Sequence, residues 1–264
     1  MSNLAWGDVP LPHIAPLLRA AGVEGVEIAP TAVWPEAPDV DDAAIRRLQQ
    51  SIDESGLAVS GVQSLLYGHP ELQLLDSATW PALHEHLRRV LGLAGSLGAD
   101  VAVFGSPRNR TRGRMSVAEA DGVAAEFLTG LLPVLEANGV VLTLEPNAPA
   151  YGADYLTGYR DAVRLADLIG SPWVQPQIDT GCLAMVGEDP AEMAQVRTPG
   201  HVHVSAPQLK MPPGELDHRR LVRQLREAGY TGWVVLEMLQ VAPDVQGAAV
   251  RAAEWLVSTY RDEM

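Results

Sequence analysis

The sequence predicts an α/β fold, a (β/α)8 barrel built as a single domain over residues 1–264. Three observations carry this. Short apolar segments alternate with amphipathic, helix-periodic segments along the whole chain, the order that a parallel sheet with crossover helices requires. Gly56, Gly98, Gly139, Gly170 and Gly229 each follow a helical segment and precede an apolar one, where a left-handed residue ends a helix. The rival arrangement, a doubly wound open sheet, needs a G-x-G-x-x-G turn after its first strand to bind a dinucleotide, and none stands there.

Taken in order, the predicted strands are Asn3–Trp6, Gly25–Ala29, Ala58–Ser64, Val101–Gly105, Val140–Glu145, Val174–Asp179, His201–Ala206 and Trp233–Met238. They are short, rich in β-branched residues and bounded by Gly, Pro or Asp, as buried parallel strands are. The clearest predicted helices are Asp41–Ser55, Ser77–Leu97, Ser116–Asn138, Thr157–Ile169, Asp217–Ala228 and Asp244–Arg261. Ser116 and Glu119 have the spacing of a capping box. No Pro/Ser/Gly-rich linker and no low-complexity segment divides the chain.

Composition narrows the function. With 19 Lys and Arg against 33 Asp and Glu, the net charge is −14, which argues against a nucleic-acid partner, since a cationic face dominates such binding. The single cysteine, Cys182, excludes an internal disulfide framework and cysteine-rich zinc sites. It suits a reducing cytoplasm. The first residues show no basic region followed by an apolar one, so no signal peptide is expected. No apolar run reaches the ~18 residues of a membrane span, so no membrane partner is expected either.

In a barrel, chemistry sits at the C-terminal ends of the strands. The fifth predicted strand ends at Glu145, the sixth at Asp179 and the eighth near Glu237. The seventh carries His201 and His203, two apart and so on one face. Three unpaired carboxylates in one mouth would repel each other and be costly to desolvate. One divalent metal ion would offset that cost. The oxygen-rich set favours Mn²⁺ or Mg²⁺, with Co²⁺ and Zn²⁺ as further options. The plainer reading is that each acid caps the loop after it, and that His203 packs inside the barrel.

These residues, with Leu144–Asn147, Asp179–Gly181, His201–Ser205 and Gly232–Glu237, resemble the xylose isomerase-like TIM barrels. That sugar phosphate isomerase/epimerase superfamily includes ketose 3-epimerases, inosose dehydratase and endonuclease IV. The resemblance covers nearly the whole chain and implies a metal held by Glu145, Asp179, His203 and Glu237. Two departures stand out. Cys182 occupies a position where many members carry a histidine, and Ala206–Lys210 replaces the acidic residue and arginine that follow the strand in several epimerases.

The expected function is therefore a metal-dependent isomerase or epimerase acting on a sugar, sugar phosphate or related polyol ketone. It would work through a metal-stabilised enediolate, with Glu145 and Glu237 as the acid/base pair. A lyase or dehydratase on the same scaffold would share that chemistry, and a barrel that binds ligand without turnover is the third reading. An endonuclease fits poorly with the charge and with the ligand set.

Four arginines, Arg108, Arg110, Arg112 and Arg114, follow the fourth predicted strand. Arg108 and Arg110 are the candidates for holding a phosphate or carboxylate, the alternative being a solvated loop. Trp6, Gln63, Cys182 and His201 complete the expected substrate contacts. Trp34, Tyr67 and Tyr151 would wall the pocket, pack the rim, or form the interface of a homo-oligomer. Glu27 would contact a substrate hydroxyl or pair with a basic neighbour.

Overall fold

Seven apolar runs of three to six residues form the sheet of the computed structural model, which describes residues 1–261. They are β1 (Gly25–Ile28), β2 (Ala58–Val62), β3 (Val101–Phe104), β4 (Val141–Leu144), β5 (Val174–Asp179), β6 (His201–Val204) and β7 (Val234–Leu236). Each lies beside and parallel to the next in chain order, which is the topology of a TIM barrel. They correspond to the second through eighth predicted strands. The helices are α1 (Leu11–Ala20), α2 (Asp42–Glu54), α3 (Trp80–Leu97), α4 (Val117–Asn138), α5 (Tyr159–Ile169), α6 (Thr180–Val186), α7 (Pro190–Val196), α8 (His218–Glu227) and α9 (Val245–Tyr260).

The first predicted strand is corrected. Asn3–Ala5 is a turn of 3-10 helix, because nearby side chains meet the backbone's needs. Ser2 Oγ accepts from Leu4 N (3.3 Å). Asn3 Oδ1 accepts from Ala29 N (2.9 Å) and its amide donates to Ala29 O (3.4 Å). The eighth place in the barrel wall falls to Met1 and Ser2. Glu27 N donates to Met1 O (3.0 Å) and Ser2 N donates to Leu236 O (2.9 Å), so two residues bridge β7 to β1.

Side-chain caps start α4 and α2. Ser116 Oγ accepts from Glu119 N (3.3 Å), and Glu119 Oε2 accepts from Ser116 N (2.8 Å). Asp41 caps α2 by accepting from Ala44 N (2.7 Å). The helices bury one apolar stripe against the sheet; in α3 it includes Leu83, Leu87, Leu91 and Leu97. Inside the barrel the character changes. Glu27, Thr143, Gln177, His201 and His203 are completely buried. Polar groups in such a place need partners or a ligand.

Candidate metal centre

The strand register sets the layers of this polar interior. Asp179 on β5 lies beside His203 on β6, and Gln177 beside His201 one layer deeper. Glu145 and Glu237 extend β4 and β7 by one rung, Glu145 N donating to Phe104 O (3.2 Å) and Glu237 N to Val204 O (3.0 Å). Four successive strands thus turn Glu145, Asp179, His203 and Glu237 toward one point. One potential ligand atom from each lies within 4.8 Å of the other three.

Asp179, Glu145 and His203 are each held from behind by hydrogen bonds. Asp179 Oδ1 accepts from Cys182 N (2.6 Å) and from Ser205 Oγ (3.0 Å). Glu145 accepts from Gln177 Nε2 (2.9 Å) and Asn147 Nδ2 (3.3 Å). Gly105 clears the space beside Glu145, since a Cβ there would overlap Oε2 of that carboxylate. His203 Nε2 is 2.8 Å from Glu27 Oε2. Its other nitrogen, Nδ1, is buried without a hydrogen bond, although it sits 2.9 Å from Glu145 Oε1 and 3.4 Å from Glu237 Oε2.

The electrostatics express an excess of negative charge. Burial, reinforced by the charges of Glu145 and Glu237, pushes the Asp179 carboxyl up to about 7. Burial also raises Glu237, against the opposing pull of His203. Burial alone would lower His203, but the carboxylates of Glu27 and Glu237 hold it well above its ordinary value. Glu27 is itself held well below the carboxylate range, because His203 and His201 together outweigh its burial. A divalent cation fits this donor set. It would neutralise the converging carboxylates and, in place of the proton that they favour on His203, take the lone pair of Nδ1.

The remaining predicted residues fall in different places. His201 is corrected: it is fully buried below the ligand layer, with Nε2 2.9 Å from Glu27 Oε1 and its ring edge-on to His203. Arg110 is corrected too. It is fully buried, with Nη2 donating to Glu145 O (2.7 Å) and Asn147 Oδ1 (2.8 Å) and Nη1 to Phe104 O (3.2 Å). It buttresses the end of β4 from inside, and its Nε is buried without a partner. Trp6 is 3% exposed and packs in the core. Cys182 lies buried in the first turn of α6, and burial raises its thiol. Gln63 is buried, its amide donating to Ser2 Oγ (3.0 Å) while its Oε1 has no partner.

Arg108 is exposed. With Ser64, Tyr67, His69 and Ser106 it lines a cleft of about 600 Å³ at the ends of β2 and β3, within the range of small-molecule sites. Ser64 (φ 59°) and Ser106 (φ 48°) both hold left-handed backbone there, a strained state that clusters at functional sites. Across the mouth the loops are tied together. Gln208 N donates to Tyr151 Oη (2.8 Å) and Leu239 N to Leu209 O (2.9 Å). Sequence reasoning missed Gln177, Asn147 and Ser205 as supports, although Gln177 lies two residues before Asp179 and so on its face.

A barrel whose strand ends gather a carboxylate–histidine cluster defines a class, and comparison places the chain within it. Residues 15–259 match the xylose isomerase-like TIM barrel family, and the chain belongs to that family. A Streptomyces coelicolor protein assigned as a hydroxypyruvate isomerase is 26% identical over 252 residues, covering 89% of this chain and 88% of that one. The 3-keto-D-glucoside 4-epimerase YcjR of E. coli superposes with a TM-score of 0.80 at 21% identity, covering 98% of each chain. A D-psicose 3-epimerase superposes with a TM-score of 0.81 at 16% identity, again over 98% of each. Among the described residues no helix is long and apolar enough to cross a membrane.

Proposed function

We propose that this protein is a divalent-metal-dependent isomerase or epimerase of a small keto-polyol, sugar or sugar phosphate, with Glu145, Asp179, His203 and Glu237 holding the metal. The observation that carries this is His203 Nδ1, buried and aimed into three converging carboxylates, with Glu145 Oε1 at 2.9 Å and Glu237 Oε2 at 3.4 Å. The names borne by the relatives, isomerases and epimerases of hydroxypyruvate and keto-sugars, support the same reading. A bound divalent ion, Mn²⁺ or Mg²⁺ for a set this rich in oxygen, would polarise a substrate carbonyl and its neighbouring hydroxyl and acidify the C–H beside them.

The chain's own residues would do the rest. Glu145 and Glu237 stand just past the ends of β4 and β7, with Asp179 and His203 between them, so they would flank a carbon bound at the centre. One takes its proton and the other returns a proton, which moves a carbonyl or inverts a centre. The raised carboxyl of Glu237 suits proton exchange near neutrality. Arg108 would hold an anionic end of the substrate in the neighbouring cleft.

The test is solvent-deuterium exchange. Protein loaded with Mn²⁺ and incubated in D2O with hydroxypyruvate and with a panel of ketoses should place deuterium on the carbon next to the carbonyl. Chelation should stop it. A protein that takes up Mn²⁺ but exchanges no substrate proton across the panel would leave a binding barrel as the better description.

A further inference from the structure

We propose that Glu27, on β1 beneath the metal centre, is its positioning residue: by accepting a hydrogen bond from each of His201 and His203, it fixes His203 in the tautomer that turns Nδ1 to the metal. The inference rests on the proposed metal site, and it concerns how this chain builds that site.

Glu27 is completely buried. A carboxylate in that position costs several kcal/mol to desolvate unless its oxygens are well paired. Its two side-chain oxygens are divided evenly, Oε1 lying 2.9 Å from His201 Nε2 and Oε2 2.8 Å from His203 Nε2. An ionised carboxylate only accepts, so each histidine must place a proton on Nε2. A neutral imidazole with that proton has its lone pair on Nδ1. In His203 that atom faces Glu145 and Glu237 without a hydrogen bond.

His201 has a task in this arrangement. It occupies the second oxygen of Glu27, so the carboxylate cannot turn away from His203. The two rings meet edge-on with centroids 5.1 Å apart. Gly61 contributes by omission, since a Cβ there would lie 2.8 Å from Glu27 Oε1. Space for this carboxylate is therefore set aside on β2, the strand beside it.

Mn²⁺ titration calorimetry on the wild type, Glu27→Ala and Gly61→Ala tests the role. Loss of a partner behind a metal-bound histidine weakens metal binding by roughly 10–100-fold, and that drop is expected for Glu27→Ala. Gly61→Ala should shift affinity the same way by less, although it changes no ionisable group. Imidazole ¹⁵N spectra of the Zn²⁺-loaded wild type supply a readout that a merely structural role would not move, and they hold even if Glu27→Ala fails to fold. They should show His203 protonated at Nε2 and metal-bound at Nδ1. A folded Glu27→Ala with wild-type Mn²⁺ affinity, or a His203 proton on Nδ1, would overturn the positioning role. A wild type that takes up no Mn²⁺ would instead overturn the metal-centre reading and this one with it.

Discussion

Asp179 carries the pH signature of the site. Its folded value of about 7 lies above the ordinary 3.8, so the folded, metal-free protein keeps a proton that the unfolded chain has lost. The stability linked to that proton is whole below about pH 4 and drains away as pH rises to about 7. His203, held well above its ordinary value, loses stability in the same direction. A bound cation removes the repulsion behind the Asp179 shift. The gap in melting temperature between Mn²⁺-loaded and chelated protein should therefore be small at pH 5 and wide at pH 7.5, and calorimetry over that range reads it. A constant gap would contradict it. Glu237→Gln should abolish turnover and deuterium exchange, yet leave the metal-free protein at least as stable as wild type, because it relieves repulsion among buried carboxylates. Activity assays and thermal melts together check both halves. Glu145, Asp179 and Glu237 were legible in the sequence because each closes a predicted strand, and His203 because it stands two residues from His201 on the strand between them. Depth was not legible. From sequence, His203 is expected at the metal and His201 at the substrate, but the structure places His201 one layer deeper, sealed against Glu27. Arg110 looked like a surface arm because no local pattern shows that its guanidinium turns inward to carbonyls up to 46 residues away.

Among the elements, α2, α3, α4, α5, α8 and α9 were legible because caps and periodic apolar residues mark them. Three others were not. Pro12 and Pro16 disguise α1, and α6 and α7 span seven residues each, too few to show a helical period. The first predicted strand failed because side chains of Ser2 and Asn3 replace strand hydrogen bonds, a substitution that hydropathy cannot register. The loop after β3 carries two predictions. Arg108→Ala should raise KM about tenfold or more for an anionic substrate such as hydroxypyruvate, with kcat less affected, since a hydrogen bond to a charged group contributes about 1.5–3 kcal/mol. For a neutral ketose KM should hardly change, and steady-state kinetics on both substrates separates the cases. Gly105→Ala should displace Glu145, because the added Cβ overlaps its carboxylate. Mn²⁺ affinity and turnover should fall while circular dichroism stays that of the wild type.

In the molecule as a whole, the ligands come from β4 to β7 and the cleft from the ends of β2 and β3, so the two halves of the mouth differ in kind. The half above the ligands is laced by the bonds from Gln208 to Tyr151 and from Leu239 to Leu209. That lacing has a consequence for traffic. The loops after β4, β6 and β7 are tethered to one another, so a substrate that approaches from the β2–β3 side passes the exposed Arg108 on its way to the carboxylates. An anionic group arriving by that route would be met at the rim before any chemistry begins.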